Sequence, residues 1–150
     1  METLSALFQK SKGAPVKYAG KLVYPIFQRE LEGMCAQLRI KRISQNSAVA
    51  QGLRIKLDNG ELEINGQQLK DIVIWADTSP DEVQVRVIGK SNVGVKVWNV
   101  WRYGDLMQAW TGNAGIQIEE KNGLVRLSCS DGVGEPDFTD LIVQIEFESA

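Results

Sequence analysis

The chain contains no histidine. That absence removes Ser-His-Asp and Cys-His nucleophilic sites, histidine general bases and histidine-ligated metals. Cysteine is scarce: Cys35 and Cys129 are too few for a zinc site made of thiolates alone. Both lie in apolar, strand-like runs, where a free thiol packs as a small hydrophobe. Two buried thiols are therefore expected rather than a bridge. No run reaches the ~18 apolar residues that a membrane span needs. The N-terminal Met-Glu-Thr-Leu-Ser-Ala-Leu-Phe-Gln-Lys lacks the basic start and long apolar stretch of a secretory signal. The expected compartment is the cytoplasm, with no membrane partner.

What remains is an ordinary globular mix of 150 residues, 43% hydrophobic and 24% charged. One domain over 1–150 is the natural expectation at this length. The net charge of −2 is too small to point to nucleic acid or a membrane surface. It hides an asymmetry. Residues 1–60 carry 10 Lys and Arg against 4 Asp and Glu, and residues 61–150 carry 7 against 15. The simplest reading is two charge-complementary parts of one domain.

Period-2 alternation dominates from Met34 onward and predicts strands. Met34, Ala36, Leu38 and Ile40 alternate with Cys35, Gln37, Arg39 and Lys41. Leu53, Ile55 and Leu57 alternate with Arg54, Lys56 and Asp58. Asp58-Asn59-Gly60 then predicts a hairpin turn, because Asn and Gly tolerate positive φ. Asn65-Gly66 and Asn122-Gly123 predict two further turns. The apolar run in Asp71–Ala76 reads as a central strand buried on both faces. Strands are also expected over Val83–Ile88, Val95–Trp101, Leu106–Thr111, Ile116–Ile118, Leu124–Cys129 and Leu141–Phe147.

Helix is expected only over Thr3–Lys10, with Thr3 as N-cap, and as a turn or two over Pro25–Glu32. The prediction is an all-β antiparallel sandwich, jelly-roll-like, with residues 1–33 as a helical N-terminal arm packed on it.

Two constellations carry chemistry. In the first, Trp98, Asn99, Trp101, Arg102 and Asp105 precede Trp110 and Asn113. Aromatic faces stack on the apolar side of a pyranose, and amides and charges take its hydroxyls. The same residue types dominate protein hot spots. Alternation limits the set, since Trp98 and Trp101 point to opposite faces of one strand. Core tryptophans with satisfied indole N–H groups are the competing reading.

The second constellation is the loop Ser130–Leu141, which holds Asp131, Glu135, Asp137 and Asp140 beside Gly132, Gly134 and Pro136. Hard cations take carboxylate and carbonyl oxygens, and a glycine-bent acidic loop offers both. The spacing is not that of an EF-hand. Asp137, Phe138, Asp140, Leu141 and Val143 make the loop resemble the Asp-Phe-x-Asp-Leu-x-Val loops of bacterial calcium-associated β-sandwich domains. Thr139 stands where those loops usually carry Asn. The resemblance covers about a dozen residues and implies Ca²⁺ held by Asp131, Glu135, Asp137 and Asp140. The competing reading has these carboxylates capping backbone N–H groups.

Paired carboxylates could hydrolyse glycosides without histidine, but no spacing singles out a pair among Asp105, Glu119, Glu120, Asp131 and Asp137. Gly132-Val133-Gly134 lacks the third glycine and the following helix of a dinucleotide loop. No aromatic-basic module indicates nucleic acid. The expected role is a non-catalytic binding module for a carbohydrate or a protein surface, assisted by calcium. The alternative is a small cytoplasmic immunity or inhibitor protein that neutralises a basic partner. A structural subunit of a larger assembly comes third.

Overall fold

A computed structural model describes residues 2–31, 35–46 and 48–149. Met34 and the side chain of Cys35 lie outside them, and with it the expectation of a buried Cys35 thiol. The chain is all-β and mostly antiparallel, 64% strand with one short helix. Helix α1 (Leu4–Lys10) starts where expected, with Thr3 Oγ1 accepting from Ala6 N–H at 3.1 Å. The strands are β1 (Val16–Tyr18), β2 (Lys21–Val23), β3 (Phe27–Leu31), β4 (Cys35–Gln45), β5 (Ala50–Ile64), β6 (Gln67–Leu69), β7 (Asp71–Trp75), β8 (Glu82–Tyr103), β9 (Leu106–Gln108), β10 (Gly115–Lys121), β11 (Leu124–Ser130) and β12 (Leu141–Ser149).

Hairpin β1–β2 stands apart. The other ten strands share one ladder, in the order β10-β11-β12-β4-β8-β5-β6, and it curls into a nearly closed sheet. Strand β8 is the spine. One edge pairs with β5 along most of its length, and the other pairs in turn with β4, β3 and β9.

The core follows from alternation. Leu38 and Ile40, Leu53, Ile55 and Leu57, Val93, Val95 and Val97, Val125, Leu127 and Cys129, and Leu141, Val143 and Ile145 all turn inward and are buried. Cys129 is a free thiol among them, and burial pushes its pKa well above the usual thiol range. Asn65-Gly66 and Asn122-Gly123 each form two-residue turns with both residues at positive φ.

Three expectations fail. Asp58-Asn59-Gly60 does not reverse the chain, because β5 runs through it. Asn59 keeps a positive φ of 61°, but the strand kinks there instead of turning. The ladder absorbs the kink by skipping from Asp58↔Gly94 to Gly60↔Gly89, leaving several residues of β8 bulged. Pro25–Glu32 is not helical. Phe27 and Leu31 fit a strand face as well as a helix face, and pairing with Val93–Val97 selects the strand. Finally, β7 is an edge strand rather than a central one. Among the described residues it pairs with β5 alone, and Val73, Ile74 and Trp75 stay partly exposed.

Candidate binding surface

The register of β5 against β8 sorts the tryptophans. Gln51↔Trp101, Leu53↔Asn99 and Ile55↔Val97 put Trp101 and Asn99 on the inner face with the core. Arg54↔Trp98 and Gly52↔Val100 put Trp98 on the outer face. Trp98 and Trp101 therefore oppose each other across the sheet, as their odd spacing requires.

Trp101 and Asn99 are consumed by the interior. The ring of Trp101 lies under the loop after β11, so close that a Cβ on Gly132 would sit 2.5 Å from it. Asn99 is buried and donates from Nδ2 to the Ser130 carbonyl at 2.9 Å. Neither lines an open surface. Asp105 is exposed at the tip of the β8–β9 hairpin. Arg102 donates to Asp77, and its guanidinium lies 4.2 Å from the Trp75 ring centroid.

Trp98 faces outward but is only 5% exposed, because Trp110 covers it. The two rings stack with centroids 4.9 Å apart and planes 26° apart. Arg54 approaches the Trp98 ring at 5.3 Å, held by two hydrogen bonds to Asp71 of 2.9 and 2.7 Å. Those bonds keep the Asp71 carboxyl below the usual carboxylate range. Among the described residues no hydrogen-bond partner reaches the buried Trp98 Nε1, so the competing reading of a core tryptophan with a satisfied indole N–H does not hold for Trp98.

Trp110 is different in kind. It is 49% exposed, and its backbone sits at φ 57°. A bulky non-glycine residue in the left-handed region costs roughly 1–3 kcal/mol, and such strain concentrates at functional sites. The ring is fixed by Trp98 below it and by Nε1–H donating to the Pro25 carbonyl at 3.0 Å. Its open side borders a groove of about 430 Å³ between α1 and the Pro25-Ile26 segment. Phe8 and Ile26 supply apolar walls, and Ser5, Gln9 and Lys12 supply polar groups. The periodicity of β8 and the composition of the hairpin gave no hint that α1 would form half of this groove.

Asn113 holds the groove's frame. Its Oδ1 accepts from Leu4 N–H at 3.1 Å, and its Nδ2 donates to the Gly134 carbonyl at 2.8 Å. Ser5 N–H donates to the Gly112 carbonyl at 2.9 Å. Gly112, at φ 57°, packs against Gly132, where a Cβ would sit 2.3 Å from the carbonyl oxygen. The segment 110–114 thus ties α1 to the acidic loop.

That loop spends its carboxylates on itself. Asp131 accepts from Val133 N–H and from Gln51 Nε2, both at 2.9 Å. Asp140 accepts from Asp131 N–H at 3.0 Å. Asp137 takes both the N–H and the hydroxyl of Thr139, which lower its pKa. Glu135 is exposed. Burial pushes the Asp140 carboxyl up to about 7; the Asp131 N–H opposes that shift, and the nearby Asp131 and Asp137 carboxylates add to it.

Among the described residues, no group of three or more His, Cys, Asp or Glu side chains is disposed to hold a metal ion. For Asp131, Glu135, Asp137 and Asp140 the calcium expectation gains no support from this arrangement. Ordinary capping bonds account for three of the four. No family model, curated protein or solved structure matches the chain.

Proposed function

We propose that the chain is a non-catalytic binding module that takes a carbohydrate at the groove beside Trp110. One observation carries the reading: a half-exposed tryptophan is held rigidly, on strained backbone, against a groove. Stacking on a sugar ring demands a flat, pre-fixed aromatic face, and fixing it beforehand spares the entropy of ordering it on binding. Gln9, Ser5 and Lys12 offer donors and acceptors for hydroxyls at the groove wall. No calcium is needed in this reading.

A second reading has its own support. Tyr103, Leu106 and Met107 cluster at the β8–β9 hairpin, with Leu106 at 68% exposure, and exposed apolar groups of this kind favour a protein partner. The cytoplasmic inhibitor role belongs with that reading.

A glycan array with the intact chain, followed by titration of hits against Trp110→Ala, separates the two. Because Trp110→Ala also uncovers Trp98 and loses the bond to Pro25, its melting temperature is measured alongside, so that loss of binding is separated from loss of fold. The carbohydrate reading expects at least about tenfold weaker binding, the loss of one good stacking contact. Sugar binding that survives Trp110→Ala would move the site elsewhere. An empty array, with capture of a protein that Leu106→Asp abolishes, would favour the second reading.

A further inference from the structure

The nearly closed sheet has a slot where it fails to close. Strand β7 pairs with β5 along one edge, and among the described residues no strand pairs its other edge. Ala76 N–H donates to Gln51 O, and Leu57 N–H donates to Lys70 O. Those bonds fix the parity of the ladder: residues 70, 72, 74 and 76 bond to β5. Val73 therefore directs both its N–H and its C=O away from β5, out of the sheet edge.

The start of β8 mirrors this. Arg42 N–H donates to Asp81 O, so residues 81, 83 and 85 bond to β4. Glu82 and Gln84 point their N–H and C=O groups the other way. Strand β5 meets β8 on that side only from Arg86 onward.

These two free edges border one cavity of about 610 Å³. Thr78–Pro80, in the connection from β7 to β8, bounds it, as do Ile64, Asn65 and Leu69 around the β5–β6 turn. Ile72, Ile74 and Val83 give it apolar walls. Among the described residues, the charged ones that line it are Asp71 and Glu82. Each already meets one arginine, Asp71 with Arg54 and Glu82 with Arg39 at 3.5 Å, and among the described residues no basic side chain lines the slot.

Free backbone donors and acceptors on the strands bordering one cavity specify an extended chain, since only a strand satisfies such rows. Apolar walls specify apolar side chains at alternate positions of that strand. Asp71 is already held by two hydrogen bonds from Arg54, so the charge preference rests on Glu82, half exposed and 3.5 Å from Arg39, which specifies positive charge beside it. We propose that this slot is a strand-addition site that takes an extended segment of a partner protein, with alternating apolar residues flanked by lysine or arginine. The site lies on other strands than the Trp110 groove and goes beyond the carbohydrate reading.

The test uses the whole chain and a short synthetic peptide in which valine and threonine alternate between terminal lysines. Fluorescence anisotropy measures its binding, and hydrogen exchange maps it. Saturable binding that protects the amides of Val73 and Gln84 is expected. A peptide N-methylated on the edge-facing amides should bind about tenfold more weakly, because it loses backbone donors without changing its side chains. Replacing the terminal lysines by glutamates should weaken binding, and added salt should then lessen the loss rather than deepen it.

Val73→Pro removes an edge N–H that β5 does not use, and should block binding; the N-methyl comparison decides the matter even if that variant misfolds. Trp110→Ala should leave peptide binding intact. Equal binding of the N-methylated peptide, no binding at all, or protection mapped elsewhere would overturn the proposal. So would concentration-dependent self-association that Val73→Pro abolishes, because a second copy would then be the occupant.

Discussion

Asp140 shows how one side chain sets a pH dependence for the whole fold. Its folded pKa of about 7 lies above the unfolded carboxylate value of ~3.9. The native state therefore holds more protons than the unfolded chain between those values. Its contribution is complete below the unfolded pKa and is lost as pH rises through the folded one. Melting temperature should fall between pH 4 and 7 beyond what the other groups impose. Asp140→Asn keeps an acceptor for Asp131 N–H and carries no charge, so it should remove that decline and raise the melting temperature at pH 8 by about 2–4 °C. Scanning calorimetry across the pH range checks this; an unchanged slope would refute it. Asp71 and Asp137 act in the opposite sense, since their lowered pKa values lend stability that is lost only in strong acid. The same instrument tests the loop for metal. Because a ligand of the native state alone must stabilise it, the melting temperature should be equal in millimolar calcium and in chelator.

At the level of elements, two glycines decide whether the loops around the groove can meet. Gly112 and Gly132 touch backbone to backbone, and neither has room for a methyl group. Gly112→Ala should destabilise by about 1–3 kcal/mol, as overpacking does, and should displace Trp110 two residues away. Urea denaturation reads the first effect, and tryptophan emission reads the second. No change in either would mean that the loops are not coupled. Sequence reasoning singled out Trp110, Asn113 and the acidic loop as candidates, but could not foresee that Asn113 would join α1 to that loop. Such contacts, between Asn113 and Leu4 109 positions apart in sequence, leave no periodic trace. Alternation gave most strands correctly, since inward apolar residues recur along β4, β5, β11 and β12. It misread β7, because a continuous apolar run looks the same on a buried strand and on an edge that borders a slot. Asn59 was misleading for a related reason: positive φ is a local property, and whether it turns a chain or kinks it depends on what pairs on either side.

Over the whole molecule, the all-β class was legible and the strand order was not. Order depends on which long-range ladders win, and β4 with β12 joins Leu38 to Phe147. The opening asymmetry of charge also resolves at this scale. Arg39 of the basic half meets Glu82 and Glu148 of the acidic half, Arg42 meets Asp81, and Arg29 meets Glu120. Exposed pairs of this kind are worth under about 1 kcal/mol each, so they favour correct docking more than they add stability. The position of β12 has a consequence for synthesis. It is the last strand in sequence, yet it lies inside the sheet between β11 and β4. While a ribosome is still making it, β11 and β4 have been made but have nothing between them. The nascent chain must carry two sticky, apolar strand margins until residue 149 emerges. A chain cut before Leu141 would therefore leave facing edges of β11 and β4 unpaired, and is expected to aggregate rather than to fold as a shortened domain.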